Sequence, residues 1–178
     1  DWLFRQMESV ARTQPPLLTV GTFHSILLKL SGVSPTDSES NEFWTKRLPD
    51  KVLEKVFSGE IEIPKFDVVV IDESQDLLAE PYLDVLEMLL EGGLAGGKWV
   101  LFGDLERQAI YAEGHGRGSD ELLAYVRRRA PHHTICALRT NCRNSENIAI
   151  GVELACRLEP GYGEILSAEP EAGLMVHF

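Results

Sequence analysis

FDVVVIDESQD, residues 66–76, joins an apolar run to a tight cluster of carboxylates. Val68, Val69, Val70 and Ile71 are consecutive and β-branched, so neither face of an extended segment is left for water. That is the pattern of a parallel strand covered by helices on both sides. Asp72, Glu73 and Asp76 follow at once, at the carboxyl end of the strand, where open α/β sheets place their ligand crevices. The stretch predicts a buried strand that delivers acids to a site.

The flanking chain repeats this unit. Upstream, residues 17–20 read as a short buried strand, and Gly21 and Thr22 turn it into a helix carrying Phe23, Ile26, Leu27 and Leu30, with Thr22 as N-cap and Gly32 past its end. Before it, Leu3, Met7, Val10 and Ala11 recur at helical spacing and stop ahead of Pro15 and Pro16. Residues 33–41 are loop-forming, and two helical pieces, 42–47 and 50–57, are expected to be interrupted at Pro49. Downstream, Pro81 suits a first helical turn, and Leu83, Leu86, Leu89 and Leu90 form one apolar stripe ending at Gly92 and Gly93, as in a crossover helix. KWVLFG, residues 98–103, reads as a second buried strand, again followed by an acid, Asp104. A helix over 120–130, a strand over 134–138, a helix over 145–158 with Ile148, Val152 and Ala155 on one face, and a last strand over 173–178 complete the pattern. Strands alternating with helices, with acids at the strand ends, argue for a mostly parallel sheet in a three-layer α/β domain.

Composition bounds what such a domain does. A chain of 178 residues suits one ordinary domain, or one domain and a fragment. It begins at Asp1, with no signal peptide, no basic Ser-rich leader and no apolar run near the ~18 residues of a membrane span, so a soluble, cytoplasmic excerpt with no membrane is expected. Cys136, Cys142 and Cys156 fall in no Cys-x-x-Cys or zinc spacing, which predicts reduced thiols. The formal charge of −11 argues against a generally basic nucleic-acid binder but leaves room for a local groove. Residues 117–147 are locally positive, with Arg117, Arg127, Arg128, Arg129, Arg139 and Arg143; the 127–129 run reads as a solvated helix end whose cations complement the dipole.

The acids at the strand ends suggest phosphoryl chemistry. Mg²⁺ prefers oxygen ligands and is usually held by one or two carboxylates together with substrate phosphates, a role open to Asp72. Glu73, turned toward a water, could orient it and accept its proton. Asp-Glu alone would equally suit a helix cap. Two further signals favour chemistry. In GDLERQAIY, residues 103–111, Gln108 follows another strand end and can touch a phosphate oxygen and a water at once. In LRTNCRNSENI, residues 138–148, Arg143 precedes a helix, where a guanidinium can neutralise charge developing on a γ-phosphate.

These segments resemble, in order, motifs of the superfamily 1 helicases of the UvrD/Rep type. VIDESQD resembles their Walker B box, GDLERQAIY their third motif and LRTNCRNS their fourth. VGTFHSI, residues 20–26, resembles the segment that lies beside single-stranded DNA. The resemblance spans residues 20 to about 148 and implies a P-loop NTPase fold of RecA-like type. By resemblance, Asp72 would hold Mg²⁺, Glu73 would activate water, and Gln108 and Arg143 would contact the γ-phosphate of ATP. Thr22, Phe23, His24 and Tyr111 would face single-stranded nucleic acid, DNA ahead of RNA. Residues 1–166 would form most of the first motor domain and 167–178 the linker and first strand of the second, with a nuclease or other domain fused elsewhere as an option.

Departures accompany the matches. The family's phosphate-binding loop, expected upstream of Asp1, is absent, so the fragment by itself is not expected to hydrolyse ATP. GGLAGGK, residues 92–98, fits G-x-x-x-x-G-K, but Trp99 replaces the hydroxyl residue and the segment runs from helix to strand, the reverse of the required order. Its glycines are read as a turn. Cys142 stands where the family commonly has an adenine-stacking Tyr, and Glu113 and Gly114 where it often has a Trp-Arg pair. A non-catalytic helicase-like module, binding nucleic acid or protein, is the alternative.

Overall fold

The computed structural model describes residues 2–13, 18–36, 38–104, 119–157 and 162–166. These form a mixed α/β chain of seven α-helices and two parallel two-stranded sheets. The chain divides into two compact units, Asp1–His132 and His133–Phe178.

The first unit opens with α1 (Trp2–Thr13) and α2 (Phe23–Ser31). Thr22 is extended and its hydroxyl accepts the Ser25 N–H at 3.2 Å, while Gly32 closes α2 in the left-handed region with its own N–H on the Leu28 carbonyl. Both ends follow from residue type. Residues 18–20, expected with Leu17 to be a strand, run irregularly, and Leu17 lies outside the described residues. Without a ladder partner, so short an apolar segment has no reason to settle as a strand. Nor does Pro49 interrupt the helical region. A π-helical turn, Phe43–Arg47, runs directly into α3 (Leu48–Phe57), with the proline in the first turn of α3, where a missing N–H is tolerated.

β1 (Val68–Ile71) is followed by a 3₁₀ turn (Ser74–Leu77), α4 (Glu80–Leu89), the single turn α5 (Gly93–Gly96) and β2 (Lys98–Leu101). The strands pair in parallel, with Val68 opposite Lys98 and Ile71 opposite Leu101. Parallel neighbours need a crossover, and α4 supplies it. The ladder outlasts the strands: Phe102 N–H donates to the Ile71 carbonyl and Ser74 N–H to the Phe102 carbonyl, each at 2.8 Å.

α4 organises the core with two stripes. Leu83 and Leu86, with Leu90 beyond its end, pack against Tyr125 and Val126 of α6 (Ser119–Arg129) and against Val69, Ile71, Trp99 and Leu101 of the sheet. Tyr82, Val85 and Leu89 pack instead against Leu27, Phe43, Leu48 and Val52. The expected single stripe of leucines is thus divided between two clusters, because α4 is inserted between the sheet and the α2–α3 pair. Each fully buried Leu or Val contributes about 1.5–3 kcal/mol relative to exposure.

The expectation of a strand sealed on both faces is corrected. Val69 and Ile71 point into the core, but Val68 and Val70 are 53% and 58% exposed, and Val100 and Phe102 share their exposure. Alternation is imposed by the pleat whatever the residue types, and the described helices cover one face alone.

The second unit contains β3 (Thr140–Asn141), α7 (Glu146–Cys156) and β4 (Glu164–Ile165), with β3 and β4 parallel. The strand expected over 134–138 is irregular, with Ile135 and Leu138 exposed. Pairing starts later, where the Arg139 carbonyl accepts the Gly163 N–H and the Asn141 carbonyl accepts that of Leu166. α7 turns Ala149 inward, whereas Ile148, Val152 and Ala155 are exposed. The strand expected over 173–178 lies outside the described residues. Cys136, Cys142 and Cys156 are free and exposed. No described helix is long and apolar enough to cross a membrane.

Candidate functional site

The end of β1 is a sharp, strained turn. Glu73 adopts the left-handed conformation, φ 53°, which costs a side-chain-bearing residue about 1–2 kcal/mol. Its N–H donates to Asp72 Oδ1 at 3.0 Å. The turn sends the chain into the 3₁₀ segment so that Ser74, Gln75 and Leu77 are buried while Asp72, Glu73 and Asp76 stay exposed. Acids at the strand end are therefore offered to solvent by backbone geometry, and the two polar residues between them, Ser74 and Gln75, are taken inside.

Of the two, Gln75, 7% exposed, makes the longer reach. Its Nε2 donates to Glu73 Oε2 at 2.7 Å, and its Oε1 accepts the Asp104 N–H at 3.2 Å. The two strand ends are joined through one side chain, which ties the Glu73 carboxylate to the Asp104 backbone. Close approach is possible because residue 103 is glycine: a Cβ there would lie 2.7 Å from both Gln75 Oε1 and Ser74 Oγ.

Among the described residues, no three His, Cys, Asp or Glu side chains gather closely enough to cage a cation. The exposed Asp72 carboxylate has one oxygen accepting the Glu73 N–H and is followed in sequence by a second exposed acid.

Gln108 and Tyr111 lie outside the described residues. Arg143 belongs to the second unit and is exposed there, its N–H donating to Asn141 Oδ1 at 3.0 Å. Asn141 Oδ1 also accepts the Asn144 N–H at 3.1 Å and so shapes the turn into α7. Its Nδ2 is buried without a partner among the described residues.

Thr22 is exposed and caps α2. Phe23 is half-buried, edge-on to the Tyr82 ring at 5.4 Å, and packs against both core clusters. His24 is half-buried, edge-on to Trp44 and Tyr82. The Tyr82 hydroxyl donates to the Trp44 carbonyl at 2.8 Å, so its single proton is committed and His24 Nε2, also 2.8 Å away, carries the proton that Tyr82 Oη accepts. Burial lowers the His24 pKa, with the Asp76 charge opposing. The same two causes, burial first, push the Tyr82 hydroxyl up to about 12.

Two other sequence expectations meet the structure here. The run 127–129 is not wholly a solvated end. Arg127 and Arg128 are exposed, Arg128 lying over the Tyr125 ring at 4.5 Å, but Arg129 turns back to pair with Asp84 and, at 3.9 Å, with Glu80 on α4. The glycines of residues 92–98 do make a turn: Gly92 is left-handed at φ 80°, α5 follows, and Lys98 opens β2. Gln75, Tyr82 and Gly103 are the residues sequence reasoning passed over. The one available signal was a glutamine two positions after Glu73.

Comparison of the chain with family models, curated proteins and solved structures found no match.

Proposed function

We propose that this chain is part of the motor of an ATP-dependent helicase or translocase moving on single-stranded nucleic acid, DNA ahead of RNA, with a RecA-like fold of the P-loop NTPase type. The observation that carries the reading is the pair of adjacent parallel strand ends, one carrying the exposed Asp72 and Glu73 and the other Asp104, with Glu73 held by a buried amide. Crevices at the carboxyl ends of parallel strands are where such folds do their chemistry, and a left-handed non-glycine residue there is strain of the kind that collects at functional sites.

In this reading Asp72 would hold Mg²⁺, which when bound would supply positive charge to the phosphates of ATP. Glu73 takes a proton from the attacking water as the water oxygen bonds to the γ-phosphorus; the bridging P–O bond breaks, and its electron pair leaves with ADP. By the resemblance, Gln108 and Arg143 would contact the γ-phosphate, and Thr22, Phe23, His24 and Tyr111 would serve the nucleic-acid side. Phe23 and His24, tied to Tyr82, would act there by linking that side to α4.

The full-length protein, assayed with single-stranded DNA and RNA oligonucleotides, should hydrolyse ATP faster in their presence, more so with DNA. Oligonucleotide binding with no nucleotide binding would overturn this reading in favour of a non-catalytic module.

A further inference from the structure

We infer that Gln75 is a positioning residue for Glu73, fixing its carboxylate through a bridge anchored on the neighbouring strand end, and that Gly103 is what admits the bridge. The inference rests on the reading of Glu73 as the base. A carboxylate can only accept and a backbone N–H only donate, so the amide orientation is forced: Nε2 toward Glu73 Oε2 at 2.7 Å, Oε1 toward the Asp104 N–H at 3.2 Å.

Without this bridge the exposed Glu73 side chain would sample several rotamers, each with its oxygens elsewhere. A hydrogen bond to an ionised acceptor is of the stronger kind, and burial of the donor residue keeps water from competing for it. Backbone geometry works to the same end, because the left-handed turn at Glu73 is held by its N–H on Asp72. On the far side, a Cβ at residue 103 would take the space of Gln75 Oε1 and Ser74 Oγ, 2.7 Å from each. The orientation of Glu73 is thus tied to the backbone at the end of β2.

The test compares Gln75→Met, of similar length but without the amide, with Glu73→Gln in the full-length protein. Gln75→Met should lower kcat roughly ten- to hundredfold while KM for ATP stays within about threefold. Gln75→Glu, which still accepts from Asp104 but cannot donate to Glu73, should fall as far. In the ¹H–¹⁵N spectrum of this chain without nucleotide, the Gln75 side-chain amide protons should exchange slowly, and Glu73→Ala, at an exposed site, should shift them and speed their exchange. Amide signals unmoved by Glu73→Ala would overturn the bridge even if Gln75→Met failed to fold. Wild-type kcat in Gln75→Met beside an inactive Glu73→Gln would overturn the positioning role alone, whereas turnover retained in Glu73→Gln would overturn the underlying assignment of the base.

Discussion

Replacing Tyr82 by Phe removes one oxygen from the junction of three elements. Tyr82 is 1% exposed, and its hydroxyl both donates to the Trp44 carbonyl and accepts from His24 Nε2, each at 2.8 Å. The variant forfeits two hydrogen bonds and leaves a carbonyl and a ring N–H short of partners. At ~1 kcal/mol net per bond, and more where the orphaned group stays buried, the cost is about 2–3 kcal/mol. For a chain of this size that lowers Tm by roughly 5–10 °C. A second signature is pH dependence. Burial, then the Asp76 charge, raises Tyr82 to about 12 from 10.0. Above pH 10.0 the unfolded chain loses its tyrosine proton while the folded chain keeps it, so this contribution is intact below 10.0 and is lost as pH climbs to about 12. Two pKa units correspond to about 2–3 kcal/mol. Trp2, Trp44 and Trp99 all belong to the first unit, so urea unfolding followed by tryptophan fluorescence reports on it. Wild type should lose more stability on the alkaline side than Tyr82→Phe does. A loss below ~0.5 kcal/mol near neutrality, or an unchanged alkaline slope, would refute the reasoning.

His24 works at the other end of the pH scale. Its pKa is lowered by burial from 6.5, so as pH falls below that value the unfolded state binds the proton first and stability declines; His24→Gln should flatten the decline in the same urea series, and a decline of equal depth would assign it to other groups. Gly103→Ala should cost about 1–3 kcal/mol, because Gln75 and Ser74 are buried and cannot swing clear of a Cβ at 2.7 Å; a thermal melt matching wild type would show that the strand ends have slack. Arg143→Ala in the full-length protein should slow hydrolysis about 10²–10³-fold and weaken nucleotide binding much less; parallel losses in single-turnover rate and nucleotide affinity would mean ordinary ground-state binding.

Local chemistry was legible where it was decided locally. Thr22 and Gly32 bound α2 as their side chains dictate, Pro81 falls in the first turn of α4, and the apolar runs at residues 68–71 and 98–101 became paired parallel strands. What depends on partners far along the chain was not. The run of β-branched residues suggested burial on both faces, yet Val68 and Val70 face outward because no described helix lies over them. Thr134 to Leu138 has strand-forming side chains, but β4 pairs with Thr140 and Asn141 instead. In DESQD the burial of Ser74 and Gln75 between exposed acids follows from the left-handed turn at Glu73 and from a glycine at 103, neither of which the pattern of residue types announces. His24 read as a ligand-facing residue from its place in the sequence; its bond to Tyr82, 58 positions away, is a product of the fold.

The central claim is that Glu73 is a base rather than a cap, and Glu73→Gln in the full-length protein addresses it with the least disturbance. The substitution keeps size and one acceptor oxygen for the Gln75 amide at an exposed position. Measured side by side, binding of a fluorescent ATP analogue should be retained within about threefold while DNA-stimulated turnover falls by roughly 10²–10⁴. Turnover near the wild-type rate with the same nucleotide affinity would contradict the assignment.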